Sequence, residues 1–127
     1  MKESRGQNYV GDATFYTEWR GGYGSCGLDR ALYDPFYVCA LSRHFMALPP
    51  GMTNPNNHPK CDPQWCVEVK GIRGTIVVKV SDTCWGCQAY DVDVADAVYH
   101  YLDDPNKGRV RMNWRFVDCR TNPPGVK

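Results

Sequence analysis

No run of like charge in this 127-residue chain exceeds a pair, and 15 Lys and Arg stand against 14 Asp and Glu. A formal net charge of +1 leaves no basic patch of the kind that a nucleic acid or an anionic membrane surface requires. Long hydrophobic runs are absent too, so nothing approaches a membrane span. The opening Met1-Lys2-Glu3-Ser4-Arg5-Gly6 is polar and lacks the apolar core of a signal peptide. No Asn-x-Ser/Thr glycosylation acceptor with a permitted middle residue occurs. Histidine is scarce, and His44, His58 and His100 do not fall at metal-ligand spacing with the cysteines. No internal repeat or linker divides the chain, whose length suits one domain with one core.

Cysteine, by contrast, is abundant: Cys26, Cys39, Cys61, Cys66, Cys84, Cys87 and Cys119. Small secreted domains supplement a marginal core with disulfides, whereas cytosolic chains keep thiols reduced. A zinc site would favour two Cys-x2-Cys or Cys/His pairs, and only Cys84 and Cys87 form one, in a Gly-containing loop. The expectation is a disulfide framework with no metal and no cofactor, in a secreted, extracellular protein whose chain is given in its mature form. The odd count leaves one thiol free or paired to another molecule.

The pattern along the chain is mainly β. Residues 8–16 alternate as a strand, residues 18–27 form a Gly-rich loop, and residues 37–41 read as a short buried strand. Five prolines between Leu48 and Pro63 specify an ordered loop pinned by Cys61 and Cys66. Trp65–Lys70 and Thr75–Val80 form a hairpin across Gly71–Gly74. Val94, Ala97, Val98, Tyr101 and Leu102 make the one helical stripe, ended by Asp103-Asp104-Pro105. Val110, Met112, Trp114 and Phe116 alternate with polar residues, a half-buried strand that places Trp114 in the core. Many short strands, one helix and long ordered loops indicate a small closed β-barrel. Residues 8–119 form the domain, with 1–7 and 120–127 as flexible termini.

Chemistry concentrates between Val80 and Val94, where Asp82, Asp91 and Asp93 accompany Trp85 and Tyr90 around the Cys84/Cys87 pair. Carboxylates beside aromatic faces suit sugar polymers, whose rings stack and whose hydroxyls hydrogen-bond. Trp19 and Tyr23 stand on the Gly-rich stretch as a possible opposite wall, and Tyr16 follows Thr14 at the end of the first strand. Asp91 and Asp96 compete with Asp93 for the roles of acid and helix-start residue. A bend at the helix start is expected to turn Asp91 away from Asp93.

Five ordered motifs, Gly11-Asp-Ala-Thr-Phe-Tyr16, Gly24-Ser-Cys-Gly27, Val80-Ser-Asp-Thr-Cys84, Val92-Asp-Val94 and Arg111-Met-Asn-Trp-Arg115, together resemble the double-psi β-barrel of expansins. The chain looks most like loosenins, expansin-like proteins made of this single domain, and Phe116-Val-Asp-Cys119 is similar to barwin. The resemblance spans residues 8–119 and implies a six-stranded double-psi β-barrel with one or two short helices and long disulfide-pinned loops. It implies that Asp93 is the acid-like residue matching the general acid of family-45 endoglucanases, with Asp82 and Thr14 beside it. Ala95 stands where the family usually has Ser. Barwin implies the pairs Cys26–Cys61, Cys39–Cys84 and Cys66–Cys119 with Cys87 odd, a local Cys84–Cys87 bond being the other possibility.

The function implied is non-hydrolytic loosening of cell walls by a monomer that binds cellulose, chitin or a related β-glucan at Thr14, Tyr16, Asp82, Trp85, Tyr90, Trp19, Tyr23 and Asp93. Inverting hydrolysis needs an acid and a base about 6.5–9.5 Å apart. The place of the endoglucanase base falls loosely on Glu18, better explained as a surface residue of the Gly-rich loop. Alternatives are a lytic transglycosylase or weak inverting hydrolase in the same groove, or a barwin- or cerato-platanin-like chitin-binding defence or elicitor protein.

Overall fold

The computed structural model describes residues 7–16, 24–33 and 36–127. Six strands close into a barrel: β1 (Tyr9–Tyr16), β2 (Val38–Ser42), β3 (Trp65–Lys70), β4 (Thr75–Cys84), β5 (Val92–Ala95) and β6 (Arg109–Asp118). Around the barrel they run β2-β5-β1-β6-β3-β4, and β4 returns to β2. The β1–β5 and β2–β4 pairs are parallel, the other four antiparallel. A short β7 (Gly125–Val126) adds to β4 outside the barrel.

Period-two alternation decides which side chains enter. On β6, Val110, Met112, Trp114 and Phe116 are buried while Arg109, Arg111 and Asn113 face water. Ile76, Val78 and Val80 of β4 and Val67 and Val69 of β3 fill the same interior. Trp114 is fully buried, as its alternation predicts, and its ring meets Phe116 edge-on at 5.1 Å. Trp65 meets Phe116 the same way at 5.0 Å, a geometry that aromatic quadrupoles favour. Lys60 lies 4.8 Å over the Trp65 ring, so its ammonium caps this end of the core.

The helical stripe yields less helix than its spacing predicts. Between α1 (Arg43–Met46) and the C-terminus the only α-turn among the described residues is α2, Asp96–Tyr99. Val94 and Ala95 are claimed by β5, paired to Phe15 and Tyr16. Beyond Tyr99 the chain tightens into turns, Tyr101 N–H bonding Val98 O and Leu102 N–H bonding Tyr99 O. Val98 and Leu102 are nonetheless buried. The apolar spacing reported the buried face correctly but not the backbone hydrogen bonds.

Three disulfides form: Cys26–Cys61, Cys66–Cys119 and Cys84–Cys87. The implied Cys39–Cys84 bond does not, and the free thiol is buried Cys39 rather than Cys87. The reason is register. Cys39 faces Val80 and Cys84 faces Ser42, three positions along the strand or about 10 Å, beyond the ~7 Å that a disulfide can span between Cα atoms.

In the segment expected to be loose, Gly125–Val126 pairs with Ile76–Val77. The turn before it is built on Asp118, whose carbonyl accepts from Thr121 N–H and Asn122 N–H. Lys127 then reaches the buried Glu68 carboxylate, which also pairs with Arg115.

Candidate functional site

The site begins with a register coincidence across four neighbouring strands. Thr14 of β1 faces Asp93 of β5, Asp93 faces Ala40 of β2, and Ala40 faces Asp82 of β4. In-register neighbours project from the same face of a sheet, so these residues form one row on the outside of the barrel. Arg109 of β6 faces Thr14 and extends the row. Along the curved wall of the barrel, four strand spacings, about 19 Å of arc, lie between Arg109 and Asp82. Ala40, the small residue between the two carboxylates, is buried.

Asp82 reaches this row through a bulge. Strand β4 runs on to Cys84, so Asp82 lies in a strand and not in the loop expected after Val80. Between Cys39 and Ala40 the register slips by one, leaving Ser81 unpaired, and the slip puts Asp82 beside Ala40. Bulges are a common device for re-aiming a side chain. The Asp82 carboxylate is then fixed by two backbone donors, Ser25 N–H at 2.9 Å and Thr83 N–H at 2.7 Å. Gly24 packs so closely that an added Cβ would lie 2.4 Å from Ser81 O, and its φ of +67° is open mainly to glycine. This accounts for the Gly-Ser-Cys-Gly motif, a turn anchored by Cys26–Cys61 and closed on the aspartate.

Asp93 is half-buried and accepts the Thr14 hydroxyl at 2.8 Å. Its carboxyl titrates above the ordinary aspartate range. Burial is the main cause and the negative charge of Asp82 adds to it, while the Thr14 hydrogen bond and Arg109 pull the other way. The row therefore holds one carboxylate fixed by two backbone donors and a second, Asp93, that holds its proton above the ordinary aspartate range.

Asp91 has a different task. It is buried, and its oxygens accept from Asp12 N–H, Gln88 N–H and the Arg109 guanidinium. Asp12 binds Arg109 at 2.9 Å and Arg111 at 3.3 Å. These charges floor a cleft of about 490 Å³ walled by Val10 and Tyr90. Sequence reasoning overlooked this network, although the alternating arginines of β6 opposite Asp12 were its signal.

Of the aromatics, Tyr16 is half-buried two positions beyond Thr14 on β1. Tyr90 is partly exposed, its ring stacked on Tyr9 at 5.3 Å. Trp85 stands out from the Cys84–Cys87 loop, 69 % exposed. Both lie beyond the row, towards the end of β2. Glu18, Trp19 and Tyr23 lie outside the described residues.

Over 116 residues the sequence is 34 % identical to the papain inhibitor of Streptomyces mobaraensis, a match covering 88 % of this chain and 73 % of that one. This chain belongs to that papain inhibitor's family. The solved structure of the Streptomyces papain inhibitor agrees, with a TM-score of 0.72 at 34 % identity over 88 % of this chain and 96 % of the other. No protein-family model matches the chain.

An expansin of Clavibacter michiganensis has a TM-score of 0.63 at 22 % identity, over 87 % of this chain and 50 % of the expansin. An Asp-to-Asn mutant of that expansin in complex with cellohexaose gives 0.61 at 21 %, with the same coverage. These matches show that the papain-inhibitor family member described here has an expansin-like fold. The barrel of the expansin-like resemblance is thus present, while the relative found through sequence is an inhibitor and not a loosenin.

Proposed function

We propose that the barrel binds a neutral β-linked polysaccharide, cellulose or chitin, along the row from Asp82 to Arg109 and loosens contacts between chains without cutting them. The observation that carries this reading is the row itself: two carboxylates, a hydroxyl and a guanidinium in register across five strands. Carboxylates accept from sugar hydroxyls. Tyr16 and Tyr90 flank the row and offer stacking faces, each worth about 0.5–1.5 kcal/mol by analogy with other aromatic contacts. Two carboxylates at the centre disfavour an acidic polysaccharide. The expansin neighbour in complex with cellohexaose supports the same ligand class.

Inverting hydrolysis requires an acid and a base on opposite sides of the scissile bond. Asp82 and Asp93 project from one floor, so a chain lying on it meets both from the same side. The three disulfides suit an extracellular protein. Mass spectrometry of the soluble fraction after incubation with amorphous cellulose and chitin tests the absence of cleavage. The reading expects no released sugars. Reducing ends would replace it with a hydrolase, and anhydro-sugars with a lytic transglycosylase.

A second reading is favoured by the 34 % identity to a papain inhibitor: the chain also binds and blocks a papain-like cysteine protease. Inhibition of papain by the purified protein tests it.

A further inference from the structure

We infer that the segment joining β4 to β5, residues 84–91, is the edge that enters the protease, with Trp85 as its anchor. The inference rests on the protease-inhibitor reading and names the surface that would carry it.

Trp85 is 69 % exposed, and among the described residues its ring makes no aromatic contact. Next to it, a Cβ added at Gly86 would meet nothing within 4 Å. The tip of this loop therefore stands clear of the barrel. Trp is enriched among the residues that dominate binding energies.

The segment behind the tip is rigid. Cys84 pairs with Ser42 in the β2–β4 ladder and is bonded to Cys87. Cys87 N–H closes a turn on Cys84 O at 3.3 Å. Further along, Ser42 Oγ donates to Ala89 O at 2.7 Å, Gln88 N–H donates to Asp91, and the Trp114 indole N–H donates to Tyr90 O at 2.8 Å. A loop held at this many points loses little freedom on binding.

The shape suits inhibition. Proteases take their substrates in an extended conformation, and a turn closed by a disulfide between residues 84 and 87 cannot extend. It can occupy a substrate cleft without presenting a bond in the orientation needed for cleavage. Protease–inhibitor interfaces cover about 800 Å² per partner, more than one loop supplies. Val10 and Tyr90, both exposed beside the Asp12–Arg109 cleft, widen the surface on the same side.

The test is titration of active papain with the wild-type protein, Trp85→Ala, Cys84→Ser/Cys87→Ser and Ile72→Ala. Ile72 is more exposed still, at 82 %, but lies on the β3–β4 turn. The inference expects wild-type inhibition, weakening of roughly thirtyfold or more for Trp85→Ala, and no change for Ile72→Ala. The double serine variant should inhibit less and be cut between residues 84 and 87. If the wild type fails to inhibit, the protease reading falls and the loop assignment with it. If the wild type inhibits but Trp85→Ala inhibits equally, or Ile72→Ala weakens it as much, the reading stands and the loop assignment is overturned.

Discussion

Gly11→Ala is the substitution whose cost the structure defines most sharply. A Cβ at residue 11 would sit 1.9 Å from Tyr90 O and 2.6 Å from Tyr90 C. Both are backbone atoms, so no side chain can swing aside. Restoring an ordinary contact of about 3.4 Å requires the strand and the residue 90 backbone to part by roughly 1.5 Å.

That displacement breaks the Trp114 indole hydrogen bond to Tyr90 O and strands a buried donor, at about 1–3 kcal/mol. It also pulls the Tyr90 ring off Tyr9, worth about 0.5–1.5 kcal/mol more. Together they come to about 3 kcal/mol, which for a domain of this size lowers Tm by roughly 10 °C. Thermal unfolding followed by circular dichroism reads the effect, with Gly86→Ala, which meets nothing, as the control. A Gly11→Ala protein melting within about 2 °C of wild type would show that the close approach of β1 to residue 90 is not a constraint on the fold.

Three further predictions concern charge. Asp82→Asn should lower the titration midpoint of Asp93 and Thr14→Val should raise it, since the first removes a like charge and the second a stabilising donor; carboxyl NMR measures both. Because the folded Asp93 holds its proton above the unfolded range, its ionisation costs stability as pH rises through that window. Asp93→Asn should therefore melt higher than wild type at pH 7 and equally at pH 3, and a lower melt at pH 7 would refute the sign. Burial opposes ionisation of Glu68, whose side chain is 2 % exposed, but hydrogen bonds from Arg115 and Lys127 outweigh it and hold the carboxyl below its usual range. Its contribution is present above the unfolded glutamate range and is lost as pH falls through the folded value. Discounted because Arg115 and Lys127 are 37 % and 47 % exposed, Glu68→Gln should cost about 1–2 kcal/mol at pH 7 and nothing near pH 2 in acid titrations of unfolding.

Much of the barrel was legible in the sequence because alternation is a local property. The β3–β4 hairpin and the inward face of β6, Val110 to Phe116, follow from spacing alone. The row was legible only in part. Thr14, Asp82 and Asp93 could be named from motifs, but their alignment depends on Ala40, which carries no chemical signal, and on the bulge at Ser81. Non-local register also decided the cysteines, since nothing near Cys39 in sequence reveals that Cys84 passes it three positions away. The stripe from Val94 to Leu102 misled because apolar spacing encodes a buried face and not the backbone bonding that presents it. Asp91 shows the converse error: a carboxylate beside the site proved to be the ligand of two backbone amides and an arginine.

The most direct test of the central claim is retention on washed cellulose and chitin, comparing wild type with Thr14→Val, Asp82→Asn and Asp93→Asn. Depletion of protein from solution is measured, with circular dichroism verifying that each variant is folded. The account predicts that the wild type is retained on at least one of the two polymers and that each substitution in the row reduces retention severalfold. Equal retention of all four proteins, or no retention of the wild type on either polymer, would contradict it.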